Sequence, residues 1–487
     1  MASIEEIRED RIKKLNILKE KGIDAYPARS HRDFYISEAI ERFDELAKKD
    51  SIFMVGRVMA LRGQGALIFF NFYDGTATFQ GLLKKGDIDD SKLDLFNITI
   101  DIGDFIEVFG NLFVTKRGEK TIQVKDWRIL SKSLRPLPGE YYGFKDEEER
   151  LRKRYLDILV NEDIKDRVLK RTKFWASIRN FLVNKGFAEV ETPVLENTAG
   201  GAEARPFITH HNALDIDVYL RISAGELWQK RLMVAGLPKV FEIGRIFRNE
   251  GMDAEHLQDY TQLEFYQAYS DYNEGMEMIK EMYRYVAKET FGTSKFNIKG
   301  FEIDLDDDWK TYDYVETIKK MIGVDIWTAE LSDMENKLRE LKVEYDAKGF
   351  NKTRAIDNLW KFCRKQIGGP GFLINVPVFM EPLAKRKEGD DRVVERFQVI
   401  LAGSEVGKGF SELNDPIDQE ERFMEQATLR EGGDEEAQMH DHDYVEAMEY
   451  GMPPTFGFGV SERLFAFFVD KPARECQIFP LMRPKEE

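Results

Sequence analysis

The chain has 487 residues, 42% of them hydrophobic, and a formal net charge of −17. That length suits about two to four domains, and the acidic balance excludes a wholly basic nucleic-acid coat while leaving local basic patches open. No apolar run is long enough to span a bilayer. The N-terminal MASIEEIREDRIKKLNILKEKG lacks the apolar core of a secretory signal. Cys363 and Cys476 alone build neither a disulfide framework nor a thiolate zinc site. A reduced, cytoplasmic protein without membrane contact or zinc is expected.

Ile4, Ile7, Ile12, Leu15, Ile17 and Leu18 recur at helical spacing, so residues 4–22 are predicted to form an amphipathic helix within an N-terminal helical extension over 1–50. From Ser51 the texture becomes β-rich. FMVGRVMAL, ALIFFNFYD, ATFQGLL, DFIEVFGNLFVT and KTIQVKDWRIL are short runs punctuated by turn residues. Five strands over 51–133 suit a small Greek-key barrel of the oligonucleotide-binding (OB) kind. Phe69 falls on the second strand and Gln80 on the third. A Phe there can stack a base, worth roughly 1–3 kcal/mol, and a Gln can read a base edge. The other reading, toward which spacing alone leans, makes Phe69 part of the core. Residues 134–160, with LRPLP and a charge run, read as a linker.

A larger mixed α/β part follows over 161–487. A helix over 161–186 ends at Gly186. Strand-like AEVETPVL, DVYLRIS, KVFEIGRIFR, YTQLEFYQAY, GFLINVPVF and RFQVILAGSEVG come after it, and a helix-rich stretch at about 309–366 reads as an insertion. Near the end, PTFGFGVSERLFAFF joins a glycine-punctuated strand to an apolar helix.

Three constellations carry chemistry. In FEIGRIFRNEGMDAEHLQDYTQLEFY, strand alternation puts Glu242, Gly244, Ile246, Arg248 and Glu250 on one face. Tyr260, Gln262, Glu264 and Tyr266 share one face of the return strand. An Arg and two Glu in a buried sheet are costly unless paired or bound to a ligand, and the flanking tyrosines suit a ligand floor. A solvated sheet face is the competing reading. The second constellation, Gly457 to Arg463, allows close backbone approach and offers Arg463 to a base or a phosphate. A plain strand–helix turn with a helix-surface arginine is the alternative reading. In the third, QVILAGSEVGKGFSELND, strand parity puts Lys408 and Glu412 on one side and Glu405 on the other unless Gly407 or Gly409 forms a bulge. Carboxylates there can hold Mg2+ or an ammonium group, or simply end the strand in ion pairs.

At these residues the chain resembles a known family. FRNEG with its aromatic return strand resembles motif 2 of class II aminoacyl-tRNA synthetases, GFGVSERL resembles motif 3, and the helix and strand ending in Glu191-Thr192-Pro193 resemble motif 1, the dimer element of that family. GGAEARPFITHHNALDIDVYLRIS and FSELNDP are similar to lysyl-tRNA synthetases, as is the order of parts from N-terminal helix through barrel and LRPLP to IFPLMRP. The resemblance implies an α+β protein, an OB barrel followed by an antiparallel catalytic sheet flanked by helices, working as a homodimer on ATP, L-lysine and tRNA(Lys) with Mg2+. It implies Arg248 and Arg463 as catalytic arginines, Glu250, His256 and Tyr260 with them at ATP, and Gly201 and Glu226 at the lysine α-amino group. Glu264, Tyr266 and Glu412 would receive the ε-ammonium, Arg248 the lysine carboxylate, Glu405 a Mg2+, and Phe69 with Gln80 the anticodon. Gln398 stands where relatives offer an acidic metal ligand. Lys408 stands where many have Asn, and a fixed cation there would repel the lysine ammonium unless Glu405 or Glu412 neutralises it. Aspartyl- and asparaginyl-tRNA synthetases, or a catalytically silent RNA-binding paralogue, are the alternatives.

Overall fold

The computed structural model describes residues 3–63, 66–138, 146–202, 204–251, 257–345, 350–432 and 437–485. The chain divides into two compact units, Met1–Val160 and Asn161–Glu487.

The first unit opens with helices α1 (Ile4–Glu20), α2 (Ile36–Glu41) and α3 (Phe43–Leu46). Ser3 and Glu6 cap α1 reciprocally, which satisfies two of its orphan N–H groups. Five strands then close a barrel in the order β1-β2-β3-β5-β4: β1 Ile52–Arg62, β2 Leu67–Tyr73, β3 Thr78–Lys84, β4 Phe105–Val114 and β5 Lys120–Ser131. Helix α4 (Asp90–Thr99) connects β3 to β4, capped by the Asp89 carboxylate. The strand reading did not contain this helix, because its ten residues are too short a run to show a helical period. Along β2, Ile68, Phe70 and Phe72 point into the barrel and are buried, while Phe69, Asn71 and Tyr73 alternate outward and are half-buried. Phe69 therefore lies outside the core that Val58, Phe70, Phe72, Val108 and Ile129 form. Short helices α5 (Glu147–Arg152) and α6 (Arg154–Val160) end the unit.

The second unit starts with α7 (Glu162–Asn184) and the two-residue strands β6 (Ala188–Glu189) and β7 (Leu195–Glu196). Strands β8 (Ile208–His211) and β9 (Ile216–Leu220) join β7 in a small separate sheet. DVYLRIS thus belongs to that sheet, not to the main one. Helix α8 (Glu226–Val234) leads to the hairpin β10 (Lys239–Phe247) and β11 (Asp259–Ala268), then to α9 (Tyr272–Phe291). Two short hairpin strands follow, β12 (Lys295–Ile298) and β13 (Phe301–Asp304). The expected helical insertion begins instead with a strand, β14 (Lys310–Asp313), on the edge of the main sheet, and helices come after it: α10 (Tyr314–Ile322), α11 (Leu331–Glu340) and α12 (Lys352–Arg364). The chain continues with β15 (Gly371–Ile374), β16 (Arg386–Lys387), β17 (Asp390–Val394), β18 (Arg396–Leu401) and β19 (Ser404–Ser411). It ends with α13 (Pro416–Glu431), α14 (His442–Glu449), β20 (Thr455–Ser461), α15 (Arg463–Phe468) and α16 (Ala473–Cys476).

The main sheet has eight strands in the order β14-β15-β18-β19-β20-β11-β10-β6, antiparallel except for its two outer pairs. One face packs Phe241, Leu263, Phe265, Phe397, Phe456 and Phe458 against α7 and α9. Each such side chain, fully buried, contributes about 1.5–3 kcal/mol. That apolar backing makes the sheet a stiff floor for the polar groups on its other face.

Candidate active site

In the central hairpin, Glu242 stands opposite Glu264, Gly244 opposite Gln262 and Ile246 opposite Tyr260. Because side chains alternate, Leu263 and Phe265 face the core while Gln262, Glu264 and Tyr266 face the other way. Glu242 is committed to structure. It pairs with buried Arg221 and accepts from the Thr192 hydroxyl at 2.6 Å. The strand ends at Phe247, so Arg248 and Glu250 lie just past the ladder rather than within it. One further bond, from Arg248 N–H to the Gln258 carbonyl at 2.8 Å, prolongs the hairpin. The Arg248 side chain donates from Nε to the Ile222 carbonyl at 3.2 Å, and its guanidinium carbon lies 5.8 Å from the Tyr260 ring centroid. Glu250 is half-buried. His256 lies outside the described residues. Arg463, the first residue of α15, follows β20, whose strand neighbour is β11.

Next to this floor is a buried cluster of carboxylates. Glu226, at the first position of α8, is 8% exposed. A Cβ at Gly201 would come within 2.7 Å of the Glu226 Cβ, so only a glycine lets that loop lie so close. One turn along α8, Lys230 is completely buried. Its Nζ lies 2.7 Å from Glu226 Oε1 and 2.5 Å from Glu412 Oε2, and 5.9 Å from the centre of the Tyr266 ring. Burial works to lower the Lys230 pKa, but the charges of Glu226 and Glu412 outweigh it and leave the group raised, a fixed cation. Glu412 Oε1 is buried with no hydrogen-bond donor among the described residues. A methyl group at Gly457 would collide with Glu412 and the Tyr266 ring.

Glu264 has a different set of partners. It accepts from Ala224 N–H at 3.0 Å, the Gln262 amide at 2.5 Å and the Tyr266 hydroxyl at 3.1 Å, all neutral donors. Burial first, and then the charge of Glu226, push its carboxyl up to about 8. Burial likewise raises Glu412, against the pull of Lys230. The structure thus brings Gly201, Glu226, Glu264, Tyr266 and Glu412 together, around a lysine that the sequence reading did not single out. The signal was present: Glu226 and Lys230 are spaced i,i+4 on one helix.

Gly407, at φ +131, is where the pairing of β18 with β19 shifts register between Gln398 and Ile400. Lys408 faces Gln398 and Glu405 faces Ile400. Gln398 and Ile400 share a face, so Glu405 joins Lys408 on one side, and simple parity gives way to the bulge. Glu405 accepts from the Trp360 indole at 2.7 Å and pairs with Arg364 at 2.6 Å, so both its oxygens are engaged. Lys408 pairs with Glu381 at 3.3 Å rather than with Glu405 or Glu412, and Glu381 also holds Arg396 at 2.8 Å. Arg396 in turn donates to Gln398.

In the barrel unit, Phe69 stands opposite Arg62 on one side and Leu82 on the other. Gln80 stands opposite Asn71 and accepts from the Thr121 hydroxyl at 2.9 Å. Phe69 and Gln80 share the outer face, where an aromatic ring lies beside a basic side chain and two amides. Sheet faces of this composition bind single-stranded nucleic acid by stacking.

A barrel followed by an antiparallel sheet with an arginine-tipped hairpin is the architecture that the comparisons with known proteins also return. Residues 146–483 match the model of "tRNA synthetases class II (D, K and N)", and residues 52–130 match that of an "OB-fold nucleic acid binding domain". The chain belongs to the class II aminoacyl-tRNA synthetases of that group. Its relatives narrow the likeness further. It is 44% identical to a protein of Thermotoga maritima named lysine–tRNA ligase, over 99% of this chain and 97% of that protein. The lysine–tRNA ligases of Thermoanaerobacter sp. and Clostridium novyi are 44% and 42% identical over 99% and 98% of this chain, and over 97% and 94% of their own lengths.

Proposed function

We propose that this synthetase activates L-lysine with ATP, releasing pyrophosphate, and passes the lysyl group to the 3′ end of tRNA(Lys). The observation that carries the reading is Glu264: a buried carboxyl whose hydrogen-bond donors among the described residues are all neutral, and which burial raises to about 8 against the charge of Lys230. It is an acceptor awaiting a cation. The ε-ammonium of lysine supplies one, with Tyr266 and Glu412 beside it, while Glu226 and Gly201 meet the α-amino group. An uncharged side chain would leave the carboxyl without its counter-ion, the kind of unpaired buried group by which a polar site rejects analogues. The carboxylate of aspartate would meet anions.

The nucleophile in the first step is the amino-acid carboxylate, already ionised, so the step needs positioning and charge neutralisation rather than a base. Arg248 holds that carboxylate and the α-phosphate together. Tyr260 and Arg463 enclose the adenine, with Glu250 and His256 completing the ATP site. The carboxylate oxygen bonds to the α-phosphorus as the bond to pyrophosphate breaks. The ribose 3′-hydroxyl of tRNA then attacks the carbonyl of the lysyl-adenylate and AMP leaves. Mg2+ enters with ATP as part of the substrate. Glu405 fits a ligand for it only where Arg364 releases the carboxylate, and Gln398 offers no charge, so no step is assigned to a resident ion.

A homodimer fits the exposed Val194, Leu195, Ile208, Leu214 and Ile216 in and around the small β7-β9-β8 sheet, an apolar surface of the kind that partners cover. Among the described residues no helix is long and apolar enough to cross a membrane. The two buried, unbridged cysteines suit a reducing compartment such as the cytoplasm.

The test is ATP–pyrophosphate exchange with each of the twenty amino acids, run across pH. Lysine alone is expected to support strong exchange, and equal or better exchange with aspartate or asparagine would sink the assignment. Below pH 8 the free protein holds a proton on Glu264 that the incoming ammonium must displace. The KM for lysine is therefore expected to fall as pH rises from about 6 toward 8, by up to about tenfold per unit, and to level off above. A flat KM over that window would remove Glu264 from the site.

The barrel carries a separate prediction. Phe69→Ala is expected to weaken tRNA charging through KM for tRNA, by a loss of roughly 1–3 kcal/mol in stacking, with lysine-dependent exchange unchanged. Equal losses in both assays would make Phe69 a purely structural residue.

A further inference from the structure

We propose that Glu420, His440 and His442 form a binding site for a borderline divalent transition-metal ion, with Zn2+ as the representative, apart from the lysine pocket. One ligand atom from each residue lies within 4.8 Å of the other two. His440 Nε2 is 2.8 Å from Glu420 Oε2, and the two imidazole rings lie 3.8 Å apart between centroids, tilted by 34°. In a tetrahedral site with bonds of about 2.1 Å, donor atoms sit about 3.4 Å apart. A bound ion would have to draw donors that now lie up to 4.8 Å apart inward to that spacing.

The surrounding structure holds the two rings where they are. Asp441, between them, caps α14 through Tyr444 N–H at 2.9 Å and grips the Arg231 guanidinium at 2.8 and 3.0 Å. The turn that carries the imidazoles is thereby anchored at both its backbone and its middle side chain. Phe423 lies 5.8 Å from His440 on the inner side. An ordinary histidine–carboxylate pair accounts for His440 and Glu420, and ring stacking for the second imidazole laid against the first. A shared cation accounts for all three.

The donor set selects the class of ion. Two imidazole nitrogens and one carboxylate suit Zn2+ and its neighbours, with a fourth position left for water. Mg2+ and Ca2+ prefer all-oxygen shells. Glu421, Glu446 and Glu449 line the same open cleft of about 830 Å³ as Glu420 and His442, and their field concentrates cations at its mouth. The expectation of no zinc rested on the cysteines, which bear only on thiolate sites. The histidine pair escapes it because His440 and His442 gain their third partner from a different helix.

The experiment is a Zn2+ titration of the untagged, metal-free full chain in competition with a chromophoric chelator, repeated with Co2+ to read its visible absorption bands. Saturable binding of one ion per chain is expected, with Co2+ bands of an imidazole-bound site. The double variant His440→Asn/His442→Asn is expected to lose that affinity by about a hundredfold, and Glu420→Gln by about tenfold, with lysine-dependent exchange retained in both. The variant His210→Asn/His211→Asn, altering the other adjacent histidine pair, is expected to bind as the parent does. Absence of saturable binding overturns the proposal, as does unchanged affinity in both the double variant and Glu420→Gln.

Discussion

Arg248→Ala is expected to cost ATP–pyrophosphate exchange a factor of about 10²–10³, the loss typical when one donor to a developing charge is removed. The step brings a lysine carboxylate up to the α-phosphate of an anionic nucleotide, so repulsion between substrates is its first obstacle. Arg248 stands where the hairpin ladder has just ended, aligned by the Ile222 carbonyl and backed by Tyr260. A planar fork held in one orientation can bind both anions at once, and a lysine cannot. Arg248→Lys is therefore expected to recover only a small part of the rate, although the charge is restored. Truncation removes one side-chain hydrogen bond to a carbonyl and leaves the ladder and the apolar backing intact. The thermal unfolding midpoint should accordingly stay close to that of the parent. Exchange within a fewfold of the parent would contradict the role, and a large fall in Tm would mean that the loss of activity is loss of fold.

The platform was legible in the sequence because period-2 alternation is a local property. Given that YTQLEFY is a strand with Leu263 and Phe265 inward, Gln262, Glu264 and Tyr266 must face the other way. The outward placement of Phe69 was not legible, since ALIFFNFYD holds Phe at 69, 70 and 72 and spacing alone does not say which set faces the barrel interior. Closure of the barrel decides it: Phe70 and Phe72 fill the core, and Phe69 takes the outer face with Asn71. The register around Glu405 was open for another reason. A single glycine with positive φ at 407 transfers Glu405 to the other side of its strand, and a bulge has no periodic signature. The barrel helix α4 and the edge strand β14 were missed because neither carries a strong period of its own. The partner of Lys408 was not legible because Glu381 arrives from a segment remote in sequence. Pairings of that kind are fixed by the assembled sheet.

Lys230→Met is expected to destabilise the free protein by about 3–5 kcal/mol, the cost of leaving a buried charge without its partner. The substitution keeps length and apolar volume and removes only the ammonium. Lys230 is fully buried, and its Nζ is shared between Glu226 and Glu412. Without it, three carboxyl groups crowd one dry pocket, and the cheapest response is to hold more of them protonated. Two consequences separate this role from simple packing. The variant should regain stability as pH falls from about 8 toward 6, because the folded-state pKa values of the orphaned carboxyls are raised and the folded form then takes up protons that the unfolded chain does not. It should also gain less in Tm than the parent does at the same lysine concentration, because stabilisation by a ligand follows its affinity. Lysine affinity should fall, because Lys230 holds the Glu226 and Glu412 side chains in place before the substrate arrives. A variant with parental Tm, the same pH dependence and an unchanged KM for lysine would show that the buried triad does no more than fill space.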